Sequence, residues 1–220
     1  MAGVVWVDGR RVDKPGTRVS PEIELELRET REPFVSRGGR KLAAALDELR
    51  IDPTDLVCLD VGASTGGFTD CLLKRGARRV VALDVGRGQI DYSLRRDPRV
   101  EVLEGVNARY LEPGDLGTTF DLIVVDLSFI SLLKVVPALI PFLASGASLL
   151  TLIKPQFEVG KGQVGKGGVV RDPSLRNRIV EERASELASL GIKLVGIVDS
   201  EVRGAKGNLE AFAHFENTHE

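Results

Sequence analysis

The chain has 220 residues, 43% hydrophobic and 28% charged, with a net charge of −2. That composition supports one sizeable core and excludes a disordered chain, and the near-neutral charge confines any nucleic-acid surface to a local patch. Two cysteines (Cys58 and Cys71) without a CxxC pair, and two histidines (His214 and His219), exclude a zinc site or disulfide scaffold and fit a reducing cytoplasm.

Residues 1–31 alternate apolar and polar side chains, with Asp8-Gly9 as a hairpin turn and Pro15-Gly16 as a second turn. The interrupting charges argue against a secretory signal. The pattern predicts a small β unit of two or three strands, too short to hold a core alone. A linker over 32–40 and a helix over 41–49 follow. LVCLDV (56–61) is a continuous apolar run, as a parallel strand buried on both faces requires. Next come a helix over 68–75 ended by Gly76, a strand over 79–83, a short helix over 89–95, and strands over 100–103 and 122–125. A helix over 132–143 and a strand over 148–153 account for the apolar stretch 129–153. It is long enough to span a bilayer, but Lys134, Pro137, Pro141 and the Ser145-Gly146 turn interrupt it. A glycine-rich loop over 155–172 leads to a helix over 173–190 and two last strands over 193–198 and 209–215. This alternation predicts an α/β, Rossmann-like fold: a seven-stranded, mostly parallel sheet with helices on both faces, plus the small N-terminal β appendage.

The turn after the first long strand reads Asp60-Val61-Gly62-Ala63-Ser64-Thr65-Gly66-Gly67-Phe68. Glycines between a strand and a helix let the backbone approach a ligand and leave helix N–H groups free. Asp84 ends the next strand about 20 residues on, where a ribose hydroxyl is received. A dinucleotide needs G-x-G-x-x-G for its pyrophosphate. The spacing here is D-x-G-x-x-x-G, which suits S-adenosylmethionine, with Asp60 available to its ammonium. The residues expected around the cofactor are Asp60, Gly62, Ser64, Thr65, Gly66, Gly67, Phe68, Asp84, Val85 and Asp126, with Asn107 able to read the adenine edge.

Asp126 ends one strand (VVDLSF) and Lys154 the next (LLTLIKP), so both face the crevice beyond the strand ends where ligands of open α/β sheets bind. Cys58 and Cys71 lie inside a strand and a helix, which argues against a nucleophilic thiolate. GKGQVGKG (160–167) imitates a P-loop but lacks the Ser/Thr after Lys166 and follows the wrong strand; a loop closing over a phosphate backbone suits it better.

Five segments, SRGGRKL (36–42), LDVGASTGGFTD (59–70), VVDLSFISL (124–132), IKPQFEVGKGQVGKGGVV (153–170) and GNLEAF (207–212), resemble the TlyA family, also called hemolysin A, of FtsJ-like ribosomal RNA methyltransferases. The resemblance implies an FtsJ-like methyltransferase domain over 41–220. It also implies S-adenosylmethionine as cofactor, a ribose 2′-hydroxyl of cytidine in rRNA as substrate, and ribosomal RNA or subunits as partner in the cytoplasm. It implies a Lys-Asp-Lys-Glu tetrad at Lys41, Asp126, Lys154 and Glu210; from composition alone Lys41 and Glu210 are an ordinary helix lysine and strand glutamate. Lys154 is then the expected base, with Lys41 nearby and Asp126 and Glu210 orienting it. Residues 1–31 resemble the later part of the family's αL-type RNA-binding domain, without its helical pair. RNA contacts are expected at Arg10, Arg11, Lys14, Arg37, Arg40, Lys161 and Lys166. The competing readings are a non-catalytic RNA-binding module, a cytolysin and a nicotinamide oxidoreductase.

Overall fold

The computed structural model describes residues 5–7, 9–12, 17–20, 22–27, 33–160, 167–204 and 206–218. They belong to two units, Met1–Pro33 and Phe34–Glu220. In the first, β1 (Val5–Val7) lies between β2 (Arg10–Arg11) and β3 (Leu25–Leu27), antiparallel to both. Gly9, at φ 72°, occupies the left-handed region a tight hairpin turn demands. Arg10 and Arg11 form β2, and their side chains lie outside the described residues, as do Lys14 and the Pro15-Gly16 turn.

The second unit is built on seven strands: β4 (Val57–Val61), β5 (Arg79–Asp84), β6 (Val100–Glu104), β7 (Phe120–Val125), β8 (Leu143–Ile153), β9 (Lys193–Asp199) and β10 (Ala211–Glu216). Their order is β6-β5-β4-β7-β8-β10-β9. The first five are mutually parallel, and β10 runs antiparallel to β8 and β9. The apolar runs have side chains to bury on both faces. Leu59, Val61, Ile123 and Val125 pack with Val136, Leu139, Val180 and Leu187 on one side. Cys58, Leu122 and Val124 pack with Leu42, Leu46, Phe68 and Leu72 on the other. Helices α1 (Arg37–Leu49) and α2 (Gly67–Lys74) therefore cover one face, and α6 (Pro173–Ala188) with α4 (Val136–Leu139) the other.

Several elements differ from expectation. Helix α1 begins at Arg37, four residues inside the expected linker, because Gly38 and Gly39 are helical and pack closely. The expected helix over 132–143 is broken into a 3-10 turn (Leu132–Lys134), α4 and a second 3-10 turn (Ile140–Phe142), after which β8 starts at Leu143. Pro137 and Pro141 cause this: neither offers an N–H to the preceding turn, so each opens a new short turn. The glycine-rich loop starts with a helical turn, α5 (Pro155–Glu158), and α3 (Tyr92–Arg95) is shorter than expected. Among the described residues no helix is long and apolar enough to cross a membrane.

Candidate active site

The chain reverses direction across the sheet between β4 and β7, and their C-terminal ends open into a cleft of about 510 Å³. Gly62, Ser64, Thr65 and Phe68 line it after β4, Asp126 after β7 and Lys154 after β8. Lys41 and Glu210 complete the wall, from α1 and from the residue just before β10.

The glycine-rich turn is set by close backbone approach. A Cβ on Gly62 (φ +87°) would lie 2.3 Å from the Asp126 carbonyl oxygen, so only glycine lets the ends of β4 and β7 meet here. Gly39 and Gly67 play the same part between α1 and α2: a Cβ on Gly39 would lie 2.8 Å from the Gly67 carbonyl, and one on Gly67 would lie 2.9 Å from the Gly39 nitrogen. The Val35 amide donates to Asp70 Oδ2 at 2.9 Å and fixes the approach to α1. This docking carries Lys41 into the cleft. No side chain caps the α1 N-terminus, where Ser36, Arg37 and Gly38 line the cleft.

Two lysine–carboxylate pairs stand on the wall. Lys41 Nζ lies 2.5 Å from Glu210 Oε2, with 11% and 3% of the two side chains exposed. Lys154 Nζ lies 2.5 Å from Asp126 Oδ1 and donates to Ser128 Oγ at 3.0 Å. Glu210 therefore orients Lys41, not Lys154 as expected from sequence; Asp126 alone holds Lys154 among the expected carboxylates. Gln156 Nε2 donates to Glu210 Oε1 at 3.1 Å. The Glu210 carbonyl accepts from Arg176 Nη2 at 3.1 Å and from the Ser200 amide at 2.9 Å, so its backbone is fixed as firmly as its carboxylate.

Asp60 sits beneath the turn, fully buried. Its Oδ2 accepts from the amide (2.9 Å) and hydroxyl (2.7 Å) of Thr69, and its Oδ1 is buried with no hydrogen-bond partner. Burial pushes its carboxyl up to about 7, against the Thr69 hydrogen bonds and with help from the negative charges of Asp126 and Asp84. Asp84 accepts from the Ser64 amide at 2.7 Å and the Gly86 amide at 2.6 Å. Of the residues expected around the cofactor, Asp60, Gly66, Asp84, Val85 and Asn107 do not line the cleft. Val85 is exposed, and Asn107 Oδ1 accepts from the Arg109 amide at 3.1 Å, capping the turn after β6. Both cysteines are buried, with thiols pushed up to about 12 chiefly by desolvation, which removes any thiolate nucleophile.

Of the expected RNA contacts, Arg37 lines the cleft, whereas Arg40 lines a separate depression with Phe34 and Glu201. Lys161 and Lys166 lie outside the described residues. Residues that the motifs did not single out also line the cleft: Ser128, Gln156, Arg203, Lys206 and the aromatic pair Phe129 and Phe157. The two rings are 5.0 Å apart at their centroids, and Phe129 is 89% exposed at φ 67°. A bulky apolar residue held left-handed in solvent is the signal that could have flagged this place, and only coordinates reveal it.

The strand order, the glycine-rich turn and the polar wall together define a Rossmann-like methyltransferase site. The FtsJ-like methyltransferase family model matches residues 34–217. The chain belongs to the FtsJ-like methyltransferase family, and S-adenosylmethionine, read from the glycine-rich turn, is its methyl donor. It is 51% identical over 212 residues to the 16S/23S rRNA (cytidine-2′-O)-methyltransferase TlyA of Mycobacterium tuberculosis, covering 96% of this chain and 79% of that one. It is 42% identical over 216 residues to Hemolysin A of Brachyspira hyodysenteriae, covering 98% and 90%. A solved structure from Streptococcus thermophilus, described as a hemolysin, superposes with a TM-score of 0.86 at 40% identity, covering 100% of this chain and 81% of that one.

Proposed function

We propose that this chain transfers a methyl group from S-adenosylmethionine to the 2′-hydroxyl of a cytidine ribose in ribosomal RNA, acting on ribosomal subunits in the cytoplasm. The observation that carries this reading is the cleft wall. Two partly buried lysine–carboxylate pairs, Lys154–Asp126 and Lys41–Glu210, stand beside a turn that only glycine can form. The name of the 51%-identical M. tuberculosis relative supplies the nucleoside and the position methylated.

The residues present fit the donor. The unpartnered Asp60 Oδ1 is an acceptor for an ammonium reached through the turn, the Gly62 turn leaves the backbone bare, and Asp84 keeps lone pairs for ribose hydroxyls. When bound, S-adenosylmethionine supplies a methyl on a cationic sulfur that leaves as a neutral thioether. The protein's task is then positioning and proton removal. Lys154 Nζ is the group placed to take the 2′-hydroxyl proton while the oxygen forms its bond to the methyl carbon. Asp126 and Ser128 hold that amine and then stabilise the ammonium. Lys41, held by Glu210, places a second cation beside the developing charge. The rings of Phe129 and Phe157 offer a stacking face for a base, and Arg37 a contact for a phosphate. RNA contacts at Arg10, Arg11, Lys14, Lys161 and Lys166 belong to the same proposal and rest on the charges in the sequence alone.

The test is transfer from labelled S-adenosylmethionine to purified ribosomal subunits, followed by alkaline hydrolysis of the RNA. A 2′-O-methyl blocks cleavage at one linkage. Label on a base, or in protein only, overturns the assignment.

A further inference from the structure

Asp126 and Lys154 follow directly on the paired strands β7 and β8, but the ladder ends at Val125 and Thr151 and does not hold the segments that run on from them. Asp126 begins the loop from β7 toward the 3-10 turn Leu132–Lys134, and Lys154 begins the turn that becomes α5. A third carboxylate joins the two. Glu158, at the end of α5, has a side chain only 2% exposed. Its Oε2 accepts from Ser131 Oγ at 2.6 Å and its Oε1 from the Leu132 amide at 2.9 Å, both on the Asp126 segment. Arg183 Nε lies 2.7 Å from Glu158 Oε2, and Arg183 Nη2 also donates to the Glu158 carbonyl at 3.4 Å.

Arg183 is well founded. It rides on α6, whose Ile179, Val180, Ala184 and Leu187 are buried in the core, and it forms a second ion pair with Glu186. The Phe129–Phe157 contact bridges the same two segments from the solvent side, and Ser128, which receives the Lys154 amine, sits between them. A carboxylate so fully buried is costly unless it is paired and hydrogen-bonded, and here two donors from the Asp126 segment and the Arg183 charge converge on it.

We infer that Glu158 is a positioning residue: by clamping the α5 turn to the loop after β7, against Arg183 as anchor, it sets the contact between Asp126 and Lys154. Lys41 and Glu210 lie on other segments, and the α5 turn reaches them only through the Gln156 bond to Glu210, so their pair depends on the clamp less than Lys154 does. This deepens the proposed methyl transfer, but the geometry it predicts is readable without any reaction. Replacing Glu158 by Gln keeps the shape and one acceptor and loses the charge that holds Arg183; replacing it by Ala removes the clamp.

The experiment is competitive acetylation of the whole protein across a pH series, with each lysine read by mass spectrometry, on wild type, Glu158→Gln, Glu158→Ala and Ser131→Ala. Lys154 is expected to react several-fold faster in the order Ala, Gln, wild type, because losing its carboxylate partner frees the amine, whereas Lys193, on β9 away from the clamp, stays unchanged as the internal control and Lys41 changes less than Lys154. In methyl transfer, kcat is expected to fall by about ten- to a hundred-fold with its pH profile displaced and the donor dissociation constant kept. Ser131→Ala removes the bond to Glu158 and the long cap bond from the Leu133 amide and gives a smaller change of the same kind, which decides the matter if Glu158→Ala does not fold. A clamp that only stabilises the fold would lower the melting temperature and leave Lys154 reactivity and the kcat pH profile where they were, and that result overturns the inference. If wild type methylates no ribose, the proposed function falls, and the labelling pattern still decides the role of Glu158.

Discussion

Replacing Asp60 by Asn should stabilise the protein more at alkaline than at acid pH while weakening its hold on the donor. Asp60 is fully buried, its carboxyl is raised from 3.8 to about 7 chiefly by desolvation, and Oδ1 has no partner. A group whose folded pKa is raised contributes stability that is intact below its unfolded pKa, near 4, and is lost as the pH rises through about 7. Between about pH 5 and pH 8 the wild type crosses roughly two pH units of that loss, which at about 1.4 kcal/mol per unit is about 3 kcal/mol. The Asn variant carries no charge and loses none of it. Its amide still accepts from Thr69 through oxygen, and its NH₂ at the unpartnered position costs about 1–3 kcal/mol at every pH. The stability difference between variant and wild type should therefore climb by about 3 kcal/mol from pH 5 to pH 8, whatever its starting value. Urea denaturation at four or five pH values measures it, and calorimetric titration with S-adenosylmethionine should show weaker binding by the more stable protein. A pH-independent difference would refute the raised carboxyl and, with it, the reading of Asp60 as an unpartnered acid kept for the donor's ammonium.

Other substitutions separate donor binding, docking and alignment. Asp84→Ala should raise the donor dissociation constant by about ten-fold or more, since it also frees the Ser64 and Gly86 amides, with kcat at saturating donor largely kept; calorimetry and initial rates check both. Gly67→Ala would put a Cβ 2.2 Å from Ser36 Oγ and 2.9 Å from the Gly39 nitrogen, so α1 must shift, and about 1–3 kcal/mol of stability should be lost by thermal denaturation. Gly204→Ala would meet Glu210 Oε1 at 2.4 Å, the movable end of a side chain. It should leave the melting temperature nearly unchanged yet lower methyl transfer by about ten-fold or more, by turning Glu210 away from Lys41.

Much of this architecture was legible from pattern. The continuous apolar runs that stop at Asp126 and Lys154 placed those two groups at strand ends, whereas Asp60 lies inside β4 and is buried there. The break in the 132–143 region was less legible: its apolar periodicity reads as helix, and only the spacing of Pro137 and Pro141 opposes it. The pairing of Lys41 with Glu210 could not be read at all from the residues, since the partners are 169 positions apart and meet only once α1 docks on α2. The resemblance supplied the pair, but it assigned Glu210 to orienting Lys154, and the coordinates give Glu210 to Lys41. The roles of Gly39, Gly67 and Gly204 are close approaches, which have no local signature. Nor has the burial of Glu158, an ordinary acid in a loop until Arg183 and Ser131 surround it.

The central claim is that Lys154 removes the ribose proton inside a cleft that already holds the donor. Lys154→Met keeps the length of the side chain and removes the amine. Single-turnover methyl transfer from labelled S-adenosylmethionine to ribosomal subunits, measured beside the donor dissociation constant, tests it most directly. The expected outcome is a rate lowered by about a hundred-fold or more, with donor affinity unchanged. A variant that methylates the same ribose at the wild-type rate would contradict the account.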